Sequence, residues 1–366
     1  PNGFETLYSE VAYDITWTKG TTAGVTDVGI WYDNGSGGGY VEVEPGVVKP
    51  FSAGKYTWAV PGTVPDLSNT NRIKILQKAP LNAAGTEIAS GNDFSILGTL
   101  EITDPEQNDF WSVNTTGTFK FTKKGSLQTV NFFYAPDGST WGGTALNGGT
   151  PVTISSLPYN GGTGEYSWDW AIPVNETLSA GIVAKVKVVA VTPSAQTAVE
   201  GVSDVIEMRG SITEVTTTSS TLIVSEQATI QWMPGGSVGD VKIYTKKGTD
   251  DWVIIPETSS GVAGSLVDGG GGAKEWVWLT VDDHVSDNVL FRVEKASNPN
   301  VKGESSAKVI KGKLTVDRPY ASSPKYFIDD TILIRWNKTG SIGTVAIEYS
   351  AKGDFTDTVG IATLQT

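Results

Sequence analysis

Residues 15–32 read Ile-Thr-Trp-Thr-Lys-Gly-Thr-Thr-Ala-Gly-Val-Thr-Asp-Val-Gly-Ile-Trp-Tyr, and this stretch decides the fold. An alternation of apolar and polar residues leads through a glycine-containing loop into a second alternation that ends in tyrosine, the pattern of two strands. Similar stretches begin at Phe119, Ile230 and Ile334. The core aromatics recur at intervals of 104, 111 and 104 residues, at Trp17, Phe121, Trp232 and Trp336. The chain is therefore a repeat array, and its period suits self-contained β-sandwich domains rather than solenoid repeats of roughly 20 to 50 residues.

Two aromatic residues separated by one position follow this stretch in the first three repeats. We align Tyr56-Thr57-Trp58 with Tyr166-Ser167-Trp168 and with Trp276-Val277-Trp278, at spacings of 110 residues. Residues two positions apart share one face of a strand. We therefore predict that the second aromatic of each pair faces the core aromatic of its own repeat. Strands with one polar and one apolar face are predicted next, at residues 72–75, 185–188 and 291–293.

A glycine marks the segment that joins each repeat to the next. Gly98 and Gly312 stand seven residues before Pro105 and Pro319, whereas Gly210 has no such proline. Glycine leaves φ free at a hinge, and proline ends ladder pairing at a strand edge. We predict domain boundaries at these glycines, which gives domains of about 100 to 110 residues where they are complete. The predicted domains are 1–97, 98–209, 210–311 and a partial domain, 312–366.

The same register indicates that both ends of the chain fall inside a repeat. The first repeat lacks the Gly-x-Leu-x-Ile segment that opens the others, and the fourth stops soon after its third strand. Half a sandwich exposes an apolar face and open strand edges, which soluble proteins avoid. We expect the fourth repeat to be completed by further chain or by a strand from a neighbouring subunit in a head-to-tail assembly.

Composition supports an all-β protein and excludes several classes of function. There are 43 glycines and no cysteine in 366 residues, so turns are frequent and neither disulfides nor thiolate metal sites can form. The net charge of -13 is unsuited to binding nucleic acid or anionic lipid. No apolar run approaches the ~18 residues that a membrane-spanning helix needs, so we expect no direct membrane insertion by this segment.

The order of these motifs resembles a known repeat. It is carried by Ile-x-Trp, by Tyr-x-Trp before Val60-Pro61 or Ile172-Pro173, by Ile-Lys-Ile and by the closing Asp93-Phe94-Ser95-Ile96. This string is similar to the immunoglobulin-like repeat of serine/threonine-rich glycosylphosphatidylinositol-anchored proteins, which are related to fungal glucan-assembly proteins and to repeats of large bacterial surface proteins. The tryptophan on the second strand is also typical of fibronectin type III domains. The resemblance implies tandem immunoglobulin-like (fibronectin-III-like) β-sandwiches at a cell surface, but it implies almost nothing about activity.

Two residues fit catalytic motifs by type only. Ser237 lies in Gly-x-Ser-x-Gly, but Gly125-Ser126-Leu127 and Gly340-Ser341-Ile342 occupy the same loop in other repeats. A loop that recurs in this way is a turn closed by an apolar side chain, and no helix pattern follows it as a nucleophile elbow requires. His284 is the single histidine, and the aspartates and the serine near it in sequence all belong to the same short loop. Adjacent loop residues cannot reach the geometry of a catalytic triad. We predict that this segment is not an enzyme.

Several aspartates are candidate ligands for calcium. Paired aspartates occur at 250–251, 282–283 and 329–330, and single ones at Asp104 and Asp317 in the linkers. None of them completes a calcium-binding loop of the Asp-x-Asp/Asn-x-Asp/Asn-Gly type, and the pairs do not recur in register. Solvated turns explain them better than metal sites, and we predict no cofactor.

One class of aromatic residue recurs six to eight positions after the tyrosine that ends the second strand. Its members are Tyr40, Trp141, Trp252 and Phe355. Exposed rings in a row could stack on sugars, although packing at the edge of the sandwich explains the recurrence at least as well. Glycosylation sequons stand at Asn34, Asn114, Asn175 and Asn337.

Two functions of different class remain open from the sequence. In the first, the chain is a structural segment of an extracellular fibre, stalk or giant surface protein, whose partners are neighbouring repeats or subunits. In the second, it is an adhesin or an array of carbohydrate-binding modules that holds a polysaccharide. The first is favoured because the core repeats whereas the loops vary.

Overall fold

The computed structural model describes residues 3–18, 25–35, 37–62, 70–79, 87–89, 93–267, 272–320 and 325–365. Over these residues the regular structure consists of β-strands and four short 3-10 turns, Phe51–Ala53, Ile154–Ser156, Ser194–Gln196 and Pro256–Thr258. No helix within the described ranges is long and apolar enough to span a membrane. The chain divides into two compact units, Pro1–Arg209 and Gly210–Thr366. The finer domain boundaries stay a prediction.

Nine strands lie in the part of the first repeat that the structure describes. They are β1 Thr6–Tyr8, β2 Ala12–Thr16, β3 Asp27–Asp33, β4 Val41–Glu42, β5 Lys49–Pro50, β6 Lys55–Ala59, β7 Arg72–Ala79, β8 Glu87–Ala89 and β9 Ser95–Leu97. Strands β2 and β6 form one sheet, and the order β4-β3-β7-β8, with β5 also on β3, forms the other. Strand β1 runs parallel to β9.

The second repeat has a fuller version of the same arrangement. Its strands are β10 Thr99–Asp104, β11 Phe110–Ser112, β12 Thr116–Lys124, β13 Thr129–Ala135, β14 Val152–Thr153, β15 Tyr159–Asn160, β16 Glu165–Ala171, β17 Ile182–Thr192, β18 Glu200–Val202 and β19 Ile206–Arg209. One sheet has the order β10-β12-β16-β15, and the other has β11-β19-β17-β13-β14 with β18 on β17.

The third repeat copies this topology strand for strand. Its strands are β20 Ser211–Thr217, β21 Thr221–Ile223, β22 Ala228–Gly235, β23 Val241–Lys247, β24 Val253–Ile254, β25 Ser265–Leu266, β26 Lys274–Trp278, β27 Ser286–Lys295, β28 Asn298–Glu304 and β29 Lys308–Lys311. The sheets are β20-β22-β26-β25 and β21-β29-β27-β23-β24, with β28 on β27. In both repeats the second strand, β11 or β21, runs parallel to the closing one, β19 or β29. Short strands arranged in two packed sheets in this way make these repeats immunoglobulin-like β-sandwiches.

The fourth repeat contains two separate hairpins. They pair β30 Lys313–Arg318 with β31 Arg335–Thr339, and β32 Thr344–Tyr349 with β33 Val359–Gln365. The last of these strands, β33, follows the third strand that we predicted. Trp336 is only half-buried, whereas Val316 and Leu333 are 63% and 64% exposed. This repeat therefore carries an open apolar face.

Each of the first three repeats has its own core. The predicted core aromatics are buried there: Trp17 is 8% exposed, Phe121 0% and Trp232 2%. The indole Nε1 of Trp17 donates a hydrogen bond of 3.0 Å to the carbonyl of Phe51. The alternation of apolar and polar residues thus identifies the side chains of β12 and β22, and of the segment that ends β2, that face the core.

Strand register corrects the alignment of the aromatic pairs. In the second repeat, Trp168 lies opposite Phe119, and Trp170 lies opposite Gly117. The residue equivalent to Trp58 and Trp278 is therefore Trp170, two positions further than we predicted. Its relative exposure of 5% matches the 1% and 0% of those two tryptophans. The prediction was wrong because Glu165-Tyr166-Ser167-Trp168-Asp169-Trp170 offers two overlapping aromatic pairs, and only pairing with the neighbouring strand chooses between them.

A Gly-x-Ser motif on β18 and β28 was missed by the sequence analysis. A Cβ on Gly201 would lie 2.7 Å from the carbonyl oxygen of Leu100, and one on Gly303 would lie 2.4 Å from that of Ile212. These glycines let the strand cross close over the opening strand of the sandwich. The serines two positions later, Ser203 and Ser305, bind the neighbouring strand.

Both serines are buried and use Oγ to accept a backbone N–H. The donors are the amides of Val186 and Phe291, each at 3.0 Å. The equal spacing of 102 residues, between the two glycines and between the two serines, is the signal that would have found this motif in the sequence.

Candidate functional site

Three of the four recurring aromatics lie beneath a basic side chain from the neighbouring strand. Lys74 Nζ stands 4.0 Å from the ring centroid of Tyr40, and Lys187 Nζ stands 4.6 Å from that of Trp141. The guanidinium of Arg292 stands 4.1 Å from the ring of Trp252. The three cations occupy equivalent places in the ladder, opposite the strand residues Trp31, Phe133 and Tyr244.

Acidic residues complete this arrangement in the second and third repeats. Lys187 pairs with Glu200 at 2.9 Å, and Arg292 pairs with Glu304 at 2.7 Å. A cation held between an aromatic face and a carboxylate stabilises the outer surface of the sheet. Each ring is half-buried and has a cation over one face. This geometry accounts for the recurrence of the aromatics by packing.

Phe355 differs from the other three. It is 63% exposed, has a positive φ of 58°, and lies in the turn between β32 and β33. Its amide donates to Ser350 Oγ at 3.2 Å. Glycan stacking by the four rings stays a prediction.

A second recurring feature is the joint between successive repeats inside each unit. In the first unit, the buried side chain of Gln196 accepts the N–H of Gly98 at 2.7 Å and donates to the carbonyl of Ile96 at 3.2 Å. It thus binds the linker through groups about 100 residues away in sequence. The loop of Gly125 and Leu127 presses on the same linker, because a Cβ on Gly98 would lie 3.0 Å from the Leu127 side chain.

Lys123 closes this joint from the second repeat. Its ammonium donates to the carbonyl of Leu127 at 3.0 Å. Burial of the ammonium lowers the pKa of Lys123, an effect that the charge of Glu10 partly opposes. The joint is thus built from packed backbone and from the buried side chains of Gln196 and Leu127, rather than from a solvated linker.

The second unit builds an equivalent joint between the third and fourth repeats. A Cβ on Gly312 would lie 2.5 Å from Ile342, and one on Gly340 would lie 3.0 Å from Val224. The carboxylate of Asp283 accepts the N–H of Ser341 at 2.9 Å and its hydroxyl at 2.6 Å. Lys313 pairs with Glu226 at 2.7 Å, with both side chains about half exposed.

These two hydrogen bonds from Ser341 lower the pKa of Asp283. Because they require the ionised carboxylate, the contact depends on pH. The loops that form the joints are those that we interpreted as turns closed by an apolar side chain. Leu127 is 2% exposed, and Val238, its equivalent in the third repeat, is 4% exposed.

The two residues with catalytic resemblance lie in turns. Ser237 is exposed between β22 and β23. The backbone amide of His284 donates to the carbonyl of Asp282, while Asp283 is engaged by Ser341. The two residues lie in different turns, Ser237 between β22 and β23 and His284 between β26 and β27.

The linker aspartates form ion pairs within the opening hairpin of their repeats. Asp104 pairs with Lys120, and Asp317 pairs with Arg335. Among the residues that the structure describes, no three side chains of His, Cys, Asp or Glu gather closely enough to hold a metal ion.

Solved structures that match this chain include titin and CNTN1 fragments of low similarity. No family model and no curated protein matches the chain. The I9–I11 tandem of titin aligns with a TM-score of 0.23 and 12% identity over 84% of this chain and 97% of its own. The FN1–FN3 domains of chicken CNTN1 align with a TM-score of 0.21 and 12% identity, over 83% and 95%.

The I67–I69 fragment of titin aligns with a TM-score of 0.25 and 8% identity, over 84% and 95% of the two chains. Scores and identities this low say nothing about function. The assignment to immunoglobulin-like sandwiches rests on the sheet topology itself.

Proposed function

We propose that this chain is a structural segment of a repeat-array protein at the cell surface, such as a fibre, a stalk or a giant surface protein. Its repeats set length and spacing, and its partners are neighbouring repeats or subunits arranged head to tail. The resemblance to the repeats of serine/threonine-rich anchored proteins suggests this extracellular setting. Catalysis has no part in the proposal.

The recurrence of one packed joint in both units carries this proposal. A protein whose repeats act separately needs only a flexible linker, whereas a spacer must hold successive domains at a fixed angle. Gln196 binds the first linker with two buried hydrogen bonds. In the other unit Asp283 binds Ser341, in the loop equivalent to that of Leu127. Spacing is thus the property that these contacts maintain.

Double electron–electron resonance on the full chain tests the rigidity of the first joint. Since the chain has no cysteine, Ala12→Cys and Val174→Cys introduce the two thiols for spin labels, one on each side of the joint. We expect a narrow distance distribution. Gln196→Ala should broaden it, because the linker loses two buried hydrogen bonds.

Gln231→Ala is the matched control, since Gln231 lies in the third repeat and bonds Glu275 instead. It should leave the distribution unchanged. A broad distribution in the parent protein, as a solvated linker gives, would contradict the structural function.

A carbohydrate-binding array is the second candidate function. The observation in its favour is that Tyr40, Trp141 and Trp252 are only half-buried and Phe355 is 63% exposed, so part of each ring stays at the surface. Substitution of Trp141 and Trp252 by alanine should abolish retention on a glycan array if these rings are platforms. If the double variant is retained as well as the parent, Trp141 and Trp252 are not platforms for sugars.

A further inference from the structure

A cavity opens in the first repeat between β4 and β6, which belong to different sheets. It has a volume of about 310 Å³. This is near the lower end of the range of ~300 to 1,000 Å³ that small-molecule sites occupy. Its aromatic lining comes from Tyr32, Tyr56 and Trp58. The rings of Tyr32 and Trp58 lie 5.2 Å apart.

Packing explains why there is room here. The amide of Val43 donates to Ile30, as Leu146 does to Phe132 in the second repeat and Ile255 does to Ile243 in the third. The smaller valine thus stands where larger side chains fill the other two sandwiches. In the second repeat the ring of Phe132 stacks on that of Trp168, with centroids 4.2 Å apart. In the first repeat the equivalent residues are Ile30 and Tyr56, and isoleucine has no ring on which Tyr56 could stack.

The polar groups at the cavity form a balanced set. Tyr56 donates its hydroxyl to Glu44, and Glu44 also pairs with Lys49, whose ammonium stands 4.6 Å from the Tyr56 ring centroid. This hydrogen bond and burial together raise the pKa of Tyr56 to about 12, so its hydroxyl stays protonated. A second carboxylate, that of Glu42, also lines the cavity, and it pairs with Lys78. Each of the two acidic side chains thus has a lysine partner, and the set leaves no net charge to attract an ion.

We propose that this cavity binds a pyranose unit of a neutral polysaccharide. The apolar face of a sugar ring packs on aromatic side chains, and its hydroxyls both donate and accept hydrogen bonds. Tyr56 and Tyr32 supply rings, while Glu44 and Lys49 supply an acceptor and a donor already held in place by each other. Val41, which lines the cavity, is 64% exposed and adds apolar surface at its opening.

Affinity electrophoresis of the full chain tests this site, with mannan, xylan or a soluble β-glucan in the gel. We expect the parent to be retarded by at least one of the three. Tyr56→Ala should weaken binding at least tenfold, because the ring and its bond to Glu44 are both lost. Val43→Leu, which imitates the second repeat and narrows the cavity, should also weaken retardation while the near-ultraviolet circular dichroism stays that of the parent.

Tyr159→Ala is the matched control, because Tyr159 is 57% exposed in the second repeat, away from this cavity. It should leave retardation unchanged. Absence of retardation by the parent in all three gels would overturn the proposal. Retardation that survives Val43→Leu and Tyr56→Ala would overturn it as well. The proposal does not depend on the rigidity of the joints, so its failure and that of the structural function are distinguishable.

Discussion

Asp283 links protonation to the joint of the second unit. Its carboxylate receives two hydrogen bonds from Ser341, which lower its pKa below the ordinary value near 4. A carboxyl whose pKa is lower in the folded state stabilises that state above its unfolded pKa. This contribution is lost as the pH falls through the folded pKa. The joint should therefore loosen in acid and not in alkali.

A pH titration of the full chain by nuclear magnetic resonance checks this prediction. The amide resonance of Ser341 should shift with a midpoint below pH ~4, as Asp283 becomes protonated. Asp283→Asn should remove the step, because the amide side chain does not titrate. Asp282→Asn alters the adjacent residue and should leave the step in place. A Ser341 resonance that titrates equally in Asp283→Asn would show that another group controls it.

At the scale of elements, the close crossing of β28 over β20 depends on the absence of a side chain at Gly303. An added Cβ would meet the carbonyl oxygen of Ile212 at 2.4 Å, and backbone cannot rotate away as a side chain can. The buried hydrogen bond from the Phe291 amide to Ser305 fixes the same strand two residues later. The crossing strand and the opening strand are thus held in one position.

Gly303→Ala should destabilise the third repeat by about 1 to 3 kcal/mol, the usual cost of forcing extra volume into a packed site. Urea unfolding of the full chain, followed by tryptophan fluorescence, measures the change. Gly343→Ala is the matched control, because a Cβ there would meet no atom within 4 Å. Its effect should stay within about 0.5 kcal/mol of zero. Equal costs for the two substitutions would refute the steric explanation.

At the scale of the whole molecule, the first three repeats have separate clusters of buried residues. Phe121 belongs to one and Trp232 to another, with no member in common. Stability in such an array is approximately a sum of the contributions of individual repeats and their interfaces. A substitution that destabilises one core should therefore lower the stability of that repeat and leave the other repeats unchanged.

Trp232→Ala tests this independence. It should cost the third repeat about 3 to 5 kcal/mol, as large-to-small changes in a core do. Differential scanning calorimetry of the full chain should show one transition moved to lower temperature. The transitions of the other repeats should keep their midpoints. A uniform shift of the whole profile would show that the repeats melt as one body.

Local pattern accounts for what could be predicted from the sequence. Alternation with a period of two marks the inward face of a strand wherever the strand lies, so Trp17, Phe121 and Trp232 were identified as core residues without coordinates. The recurrence of these residues at more than 100-residue intervals then predicted tandem sandwiches. It also predicted the turn closed by Leu127 and Val238, because its spacing to the next strand repeats.

Only the tertiary structure decided features that depend on residues distant in sequence. The choice between Trp168 and Trp170 required the pairing of β16 with β12. The bonds of Gln196 to the linker span about 100 residues, and no local pattern distinguishes this glutamine from a surface one. The cavity beside Tyr56 is lined by residues of two different sheets, with Val43 at the place where Leu146 and Ile255 stand in the other repeats. Periodicity reports which face of a strand is buried, whereas register, joints and cavities arise from how the faces meet.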